Sequence, residues 1–319
     1  MMKKSALFLA LSAAMATPAF AAEFQVNKDT KFQVNVEVGA YHQDVKTNKG
    51  VSNTAFTGKG LNQIEIKADH VVSADVTVFG EIEIDYDPIG DNGAVLTDDV
   101  RVGINSKSMG RFSVGQFDSY FEDNVIEILA TGNGDSAYLA EAASDNDGRR
   151  LQWIKPLGPV TLAVEASRAT SSADKTKTGT GVGVTGMYKI GALSLAVGMA
   201  NLNKFSSSGA AVTNEKTTAA SAKYNMGNLS FMGLVAKQDK LNGDAIDILG
   251  AGMKYKMGQF DVGLALQNLE ETGQDKRTEM SLGLGYKPFK NMTFFFDVLK
   301  ADKAKKEGDV LEVGVKYKF

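Results

Sequence analysis

The stretch ADVTVFGEIEIDY, Ala74 to Tyr86, decides what kind of secondary structure this chain makes. Ala74, Val76, Val78, Gly80, Ile82, Ile84 and Tyr86 share one face of an extended backbone, and Asp75, Thr77, Phe79, Glu81, Glu83 and Asp85 share the other. Side chains of a strand alternate between two faces, whereas a helix repeats about every 3.6 residues. FQVNVEVGAY follows the same rule: Phe32, Val34, Val36, Val38 and Ala40 oppose Gln33, Asn35, Glu37, Gly39 and Tyr41. Runs of this length exceed the usual strand of a soluble sheet and reach what is needed to cross a bilayer at a tilt.

Working outward, sixteen such segments can be placed between Val36 and Val315, with fourteen the nearest alternative count. Short connections such as Ile190-Gly191-Ala192, Met226-Gly227-Asn228, Met257-Gly258-Gln259 and Pro288 to Asn291 alternate with long ones. The long ones fall near 42–60, 87–97, 118–148, 169–180, 202–216, 239–246, 269–277 and 301–308. Short periplasmic turns opposite long external loops are the asymmetry of an outer-membrane barrel. Tyr224, Tyr255, Tyr286 and Tyr317 recur every 31 residues, with Tyr188 before them, each next to a short turn or the chain end. They predict an aromatic girdle at the periplasmic interface, with the adjacent lysines at the headgroup boundary; tyrosines merely packed under hairpin turns are the alternative.

In hydrocarbon every backbone N–H and C=O must be paired internally, so strands span only as a closed barrel. The polar face here carries Glu65, Lys67, Glu81, Glu83, Asp99 and Arg101 among other full charges. A small filled barrel could not bury these without a large desolvation cost, whereas sixteen strands leave a water-filled channel. The reading is an all-β, 16-stranded antiparallel transmembrane β-barrel.

The connection from Asp118 to Gly148 holds Asp118, Glu122, Asp123 and Glu127 among its eight acids, and no Lys or Arg. It also holds the apolar pairs Val125-Ile126, Ile128-Leu129 and Tyr138-Leu139, which a freely exposed loop does not need. Loops this long are usually functional or disordered. The expectation is that this third external loop folds inward and narrows the channel, facing Arg101, Arg111 and Arg150, which strand parity points into the lumen. Opposed rings of charge would set a transverse field and the selectivity of the pore. A solvated external cap is the alternative. The acidic loop suggests a mild cation preference.

The ends and composition bound the rest. Lys3 and Lys4, the apolar run Ala6 to Ala16 and the sequence Ala19-Phe20-Ala21 read as a cleaved export signal over residues 1–21, leaving a barrel domain over 22–319. The apolar run is too short for a spanning anchor. Removing Lys3 and Lys4 moves the formal charge from −3 to −5, which gives no reason to expect a nucleic-acid partner. Zero cysteines and two histidines argue against thiolate or histidine-based metal and catalytic centres. No cofactor is expected. Ser144 to Gly148 matches part of a calcium loop without its terminal glutamate. His42 near Asp44 is the one pair that suggests a hydrolase, with no recognisable nucleophile beside it.

MGRFSVGQFDSYFEDN, Met109 to Asn124, is similar to the fifth strand and infolded third loop of the general trimeric porins of Gram-negative bacteria. The ending GVKYKF resembles the assembly signal of that family, with Phe319 as its terminal aromatic. The resemblance covers the whole chain. It implies a homotrimer in outer-membrane lipid and lipopolysaccharide, inserted by the barrel-assembly machinery, that passes small hydrophilic solutes. Two departures stand out: a lead from Glu23 to Thr30 delays the first strand, and few inward arginines are evident. A channel dedicated to one solute class stays open as an alternative, with Phe79, Phe117 and Phe295 as a lumenal aromatic row for sugars. So does an adhesin or barrel enzyme with a closed lumen. The subunit interface is expected around Phe32 to Ala40 and the chain end.

Overall fold

Period-two alternation becomes a continuous ladder in a computed structural model, which describes residues 22–46, 52–57, 61–86, 95–133, 149–170, 178–205, 212–240, 243–301 and 309–319. The first strands are β1 (Ala22–Asn27), β2 (Thr30–Lys46), β3 (Ser52–Thr57), β4 (Gln63–Val71), β5 (Val76–Tyr86) and β6 (Val95–Ser106). Next come β7 (Gly110–Gln116), β8 (Arg149–Leu157), β9 (Val160–Thr170), β10 (Thr178–Ile190), β11 (Leu193–Phe205) and β12 (Val212–Met226). The last are β13 (Leu229–Lys240), β14 (Ala245–Met257), β15 (Phe260–Glu271), β16 (Arg277–Phe289), β17 (Met292–Ala301) and β18 (Asp309–Lys318).

Each strand from β4 onward pairs antiparallel with the next, and β18 returns to β2 through Asp309↔Lys46 to Lys318↔Glu37. The result is a closed antiparallel barrel of sixteen positions. Two of those positions are built from two pieces. β4 flanks the first half of β2 and β3 flanks its second half, so β3 and β4 run as one interrupted strand. At the interruption the Asn62 side chain bonds both the N–H and C=O of Gly39, at 3.0 and 3.1 Å. On the other side of β2, β1 continues the line of β18: Phe319 N–H donates to Val36 O, and Ala22 lies opposite Val34. The lead expected to precede the first strand is therefore itself a strand. Its two apolar residues, Phe24 and Val26, are too few to announce it.

The strands run further into the predicted loops than alternation suggested. β2 continues to Lys46, so His42 and Asp44 lie on a strand, two residues apart and outside the lumen face. Ladder hydrogen bonds persist beyond the apolar band, where polar side chains carry no periodic signal. Turns are set by local chemistry. Gly158, Gly191, Gly227 and Gly258 sit at φ between +56° and +63°, the left-handed conformation that two-residue hairpin turns require.

Outward and inward faces differ sharply. On β14, Leu249 is 60 % exposed while Ile248 is 4 %. Val102, Val182, Val197 and Val235 are also more than half exposed. So broad an apolar surface is stable only against hydrocarbon.

Candidate functional site

The lumenal wall of β4 to β7 is organised around Glu81. Strand register puts Lys67 and Arg101 directly opposite it on either side. Arg101 donates from Nε at 2.8 Å and from a terminal nitrogen at 2.9 Å, a bidentate pair. Lys67 reaches the same carboxylate at 3.3 Å, and an Arg111 terminal nitrogen lies 3.9 Å from it. Arg111 rests its guanidinium 4.2 Å from the centre of the Phe79 ring, and Arg101 lies 5.5 Å from that of Phe117. Ring faces attract cations, so each arginine is held in place by an aromatic as well as a carboxylate.

The external side of this wall is acidic. Oxygens of Glu83, Asp85 and Asp98 lie within 4.8 Å of one another. A bulge between Ile82 and Ile84 sets Asp98 and Asp99 against the single residue Glu83.

From Phe117 the chain leaves the wall. The π-helical turn Glu122–Ile126 and the 3₁₀ turn Glu127–Leu129 present Phe121, Val125, Ile126 and Leu129 as buried residues. They pack with Ala196, Ala219, Met232, Ile248 and Ala265, inward residues of β11 to β15. Glycine makes room for them. A methyl group at Gly250 would stand 2.2 Å from Leu129 Cδ1, and one at Gly198 would stand 2.3 Å from the Phe121 ring.

Two polar anchors hold the segment. At its start Glu165, 3 % exposed on β9, accepts the Ser119 hydroxyl at 2.7 Å and the Tyr120 N–H at 2.6 Å. The same carboxylate accepts Gln152 Nε2 at 2.7 Å and pairs with Arg150 at 3.3 Å. At its end Thr131 bonds Ser281 at 2.7 Å, Asn133 N–H donates to Asp297 at 2.5 Å, and Lys316 donates to Asn133 O at 3.0 Å. The anchors lie on opposite sides of the inner wall.

The structure brings together only part of what the sequence suggested. Arg101 and Arg111 face the lumen beside the segment that carries Asp118 and Asp123. Arg150 points inward but is 3 % exposed, locked between Glu165 and the Phe117 carbonyl, so it secures the segment from beneath. Glu122 is buried, whereas Asp123 and Glu127 reach lumenal water. Confinement within the barrel, together with Asp118, Glu127 and Glu165 nearby, pushes Asp123 up to about 7 against the opposing pull of Arg101. Phe79, Phe117 and Phe295 do point inward but are covered, so they form no open aromatic row. Ser144 to Gly148 lies outside the described residues.

Glu165 was missed. Its signal was the one that marks every lumenal charge, an acid between outward Val164 and Ala166. Phe121, Val125 and Leu129, four residues apart, also carry a helical spacing that the reading by pairs passed over.

Tyr188, Tyr224, Tyr255 and Tyr286 are 38 to 47 % exposed on the outward face next to the short turns. Phe260, Tyr286 and Phe294 stack in series at 4.7 and 6.4 Å, and Tyr317 meets Phe319 edge-on at 4.7 Å. The lysines beside them turn the other way. Lys287 pairs with Asp261 at 2.7 Å, and Lys316 reaches the inward segment, so they belong to the lumen and not to the headgroup boundary. Pleat alternation is the reason: the neighbour of an outward residue faces inward.

Comparison with known proteins places this architecture. No curated protein matches the chain. Among solved structures, the anion-selective porin from Comamonas acidovorans superposes with TM-score 0.71 at 16 % identity, over 91 % of this chain and 100 % of that one. OmpF of Salmonella typhi, in complex with daunomycin, gives 0.72 at 15 % over 93 % and 100 %. In-vitro folded OmpT of Vibrio cholerae, in a trimer form, gives 0.69 at 13 % over 92 % and 100 %. The model of one family, described as Gram-negative porin, matches residues 6–319, and the chain belongs to that family.

Proposed function

We propose that this outer-membrane channel passes ions and small hydrophilic solutes by passive diffusion through an eyelet narrowed by the loop that begins at Asp118. The observation that carries the reading is the anchoring of residues 117–133 across the inner wall, from Glu165 to Asp297. On this reading the acids Asp118, Asp123 and Glu127 of the loop and the cations Arg101 and Arg111 of the wall beside it together line the narrowed path. Planar-bilayer recording on the detergent-purified protein tests it. Stepwise conductance in groups of three supports an open trimeric channel; silence from a folded sample points instead to a closed-lumen adhesin or barrel enzyme.

The trimer reading draws on the OmpT trimer form, with the outward face around Phe32 to Ala40 and the chain end as the contact. The tyrosines act as the periplasmic girdle in lipid and lipopolysaccharide, and Phe319 as the signal for the assembly machinery. Residues 1–21 are a leader removed on export. Ala22 stands opposite Val34 and Phe319 beside Val36, so a retained leader would have to leave the sheet at the seam. The intact mass of the membrane-extracted chain checks this, with Ala22 expected as the first residue.

Asp123 gives the channel a pH response. Its raised pKa means the carboxyl is mostly neutral below about 7 and charged above it. Asp118, Glu127, Glu165, Tyr120 and Arg101 surround it. Cation preference, read as reversal potential in a salt gradient, is expected to rise between pH 6 and 8. D123N should reduce the step. A step of the same size in D123N would assign it elsewhere.

A further inference from the structure

The inward-facing charges are sorted along the channel axis. Tyr188, Tyr255 and Tyr286 face outward next to the periplasmic turns, and each is followed by a lysine that the pleat turns inward: Lys189, Lys256 and Lys287. Lys223 and Lys254 precede Tyr224 and Tyr255 and face inward for the same reason. β18 adds Lys316 and Lys318, and the opposite wall adds Arg111, 3.9 Å from Glu81. Near the periplasmic turns the described carboxylates on this face are Glu23, Asp69, Asp261 and Asp75, the last accepting hydrogen bonds from Ser106 and Ser108. Glu23 is bridged by Lys31 at 2.7 Å and Asp261 by Lys287 at 2.7 Å. Glu37, deeper in, engages Lys316 and Lys318. Among the described residues no carboxylate lies within ion-pairing distance of Lys189, Lys223, Lys254 or Lys256.

The external half has the opposite sign. Glu65, Glu83, Asp85, Asp98 and Asp99 line one wall, and Glu271, Glu279, Asp297 and Glu312 line the other. Asp118 and Glu127 of the inward loop add to them. The described cations on this face are Arg101, Arg150 and Arg277, and each is in contact with a carboxylate: Glu81, Glu165 and Glu279 respectively.

We infer that this channel rectifies: an acidic external mouth and a lysine-lined periplasmic vestibule in series make it conduct better when the external side is positive. The inference rests on the open-channel reading above. Rings of fixed charge admit the opposite ion and exclude the like one. With the external side positive, cations enter through the acidic mouth and anions through the lysine vestibule, and both accumulate where the zones meet. With the polarity reversed, each mouth excludes the ion the field drives through it, and the junction is depleted. Screening sets the range. The Debye length is about 10 Å at 0.1 M salt and about 3 Å at 1 M, so the asymmetry belongs to low ionic strength.

Single-channel current in symmetric 0.1 M KCl, at equal and opposite voltages, reads the effect. Zero native cysteines let biotinylated D275C, on the exposed loop between β15 and β16, report orientation by the chamber from which streptavidin alters the current. The expected ratio is about twofold or more at 0.1 M, with the larger current external-positive, falling to about one at 1 M. The triple variant K223Q/K254Q/K256Q should bring the 0.1 M ratio toward one while leaving the 1 M conductance nearly unchanged. If it does not assemble, D98N/D99N makes the same test from the acidic side. Equal currents at 0.1 M, the opposite sign, or an unchanged ratio in the variants would overturn the inference. A silent membrane would instead overturn the channel reading beneath it.

Discussion

Replacing Glu165 with alanine is expected to free the loop and produce a wider, noisier channel. The carboxylate accepts Ser119, Tyr120, Gln152 and Arg150 at once, and it is almost wholly buried. Its removal deletes the two hydrogen bonds that tie the loop to β9, from the Ser119 hydroxyl and the Tyr120 N–H. Hydrogen bonds to a charged acceptor are worth about 1.5–3 kcal/mol each. A loop held closed by that much less has an open population raised by roughly two to four orders of magnitude, at about 1.4 kcal/mol per tenfold. The conductance should shift to a larger state, and liposomes should admit larger neutral sugars. E165Q keeps the shape and part of the hydrogen bonding, so it should fall between. The strands pair independently of this contact, so detergent-resistant folding should survive. Unchanged conductance and sugar cut-off in a folded E165A barrel would mean the Asp297 end and the apolar packing hold the loop by themselves.

The second large effect concerns selectivity, with a sign for each variant. Glu81 is the shared acid of Lys67, Arg101 and Arg111, so E81Q removes one negative charge from among three cations, while Lys67 keeps Glu65. R101Q does the reverse and leaves Glu81 with Lys67 and Arg111. An ion passing about 5 Å from one unit charge in water feels about 0.8 kcal/mol, a factor of about four in local concentration. At 0.1 M salt, E81Q should move the cation-to-anion permeability ratio toward anions by about twofold to fourfold, and R101Q toward cations by a similar factor. Both shifts should shrink at 1 M as screening shortens. Reversal potentials moving in the same direction for both variants would show that Glu81 and Arg101 shape the loop and do not act on the permeating ion.

What could be read in the sequence was whatever a strand states locally. Ile82 and Ile84 against Glu81 and Glu83 declare both faces of β5, and the glycines of the short hairpins declare the turns. β3 stayed hidden because its two apolar residues, Ala55 and Phe56, are adjacent and do not alternate, and only its pairing with β2 makes it a strand. Parity points Arg150 inward. What parity omits is the third dimension of the lumen, where the loop covers Arg150 and leaves Arg111 open. The tyrosine repeat was plain, yet the adjacent lysines were assigned to the membrane because proximity in sequence was read as proximity in space. In a strand it means the opposite face.

The pairing of the barrel also bears on how it comes to exist. From β4 to β18 every strand meets its sequence neighbours, so the sheet can lengthen as a ribbon, one hairpin at a time, with little chain entropy lost per step. The β2–β18 seam is different, because it joins residues hundreds of positions apart. Closing a loop of that length costs on the order of 5 kcal/mol, and the cost falls on a single event. The completed ring is thus a linear polymer with one joint. Weakening that joint would delay closure and leave two bare edges exposed, while the rest of the ribbon stayed intact.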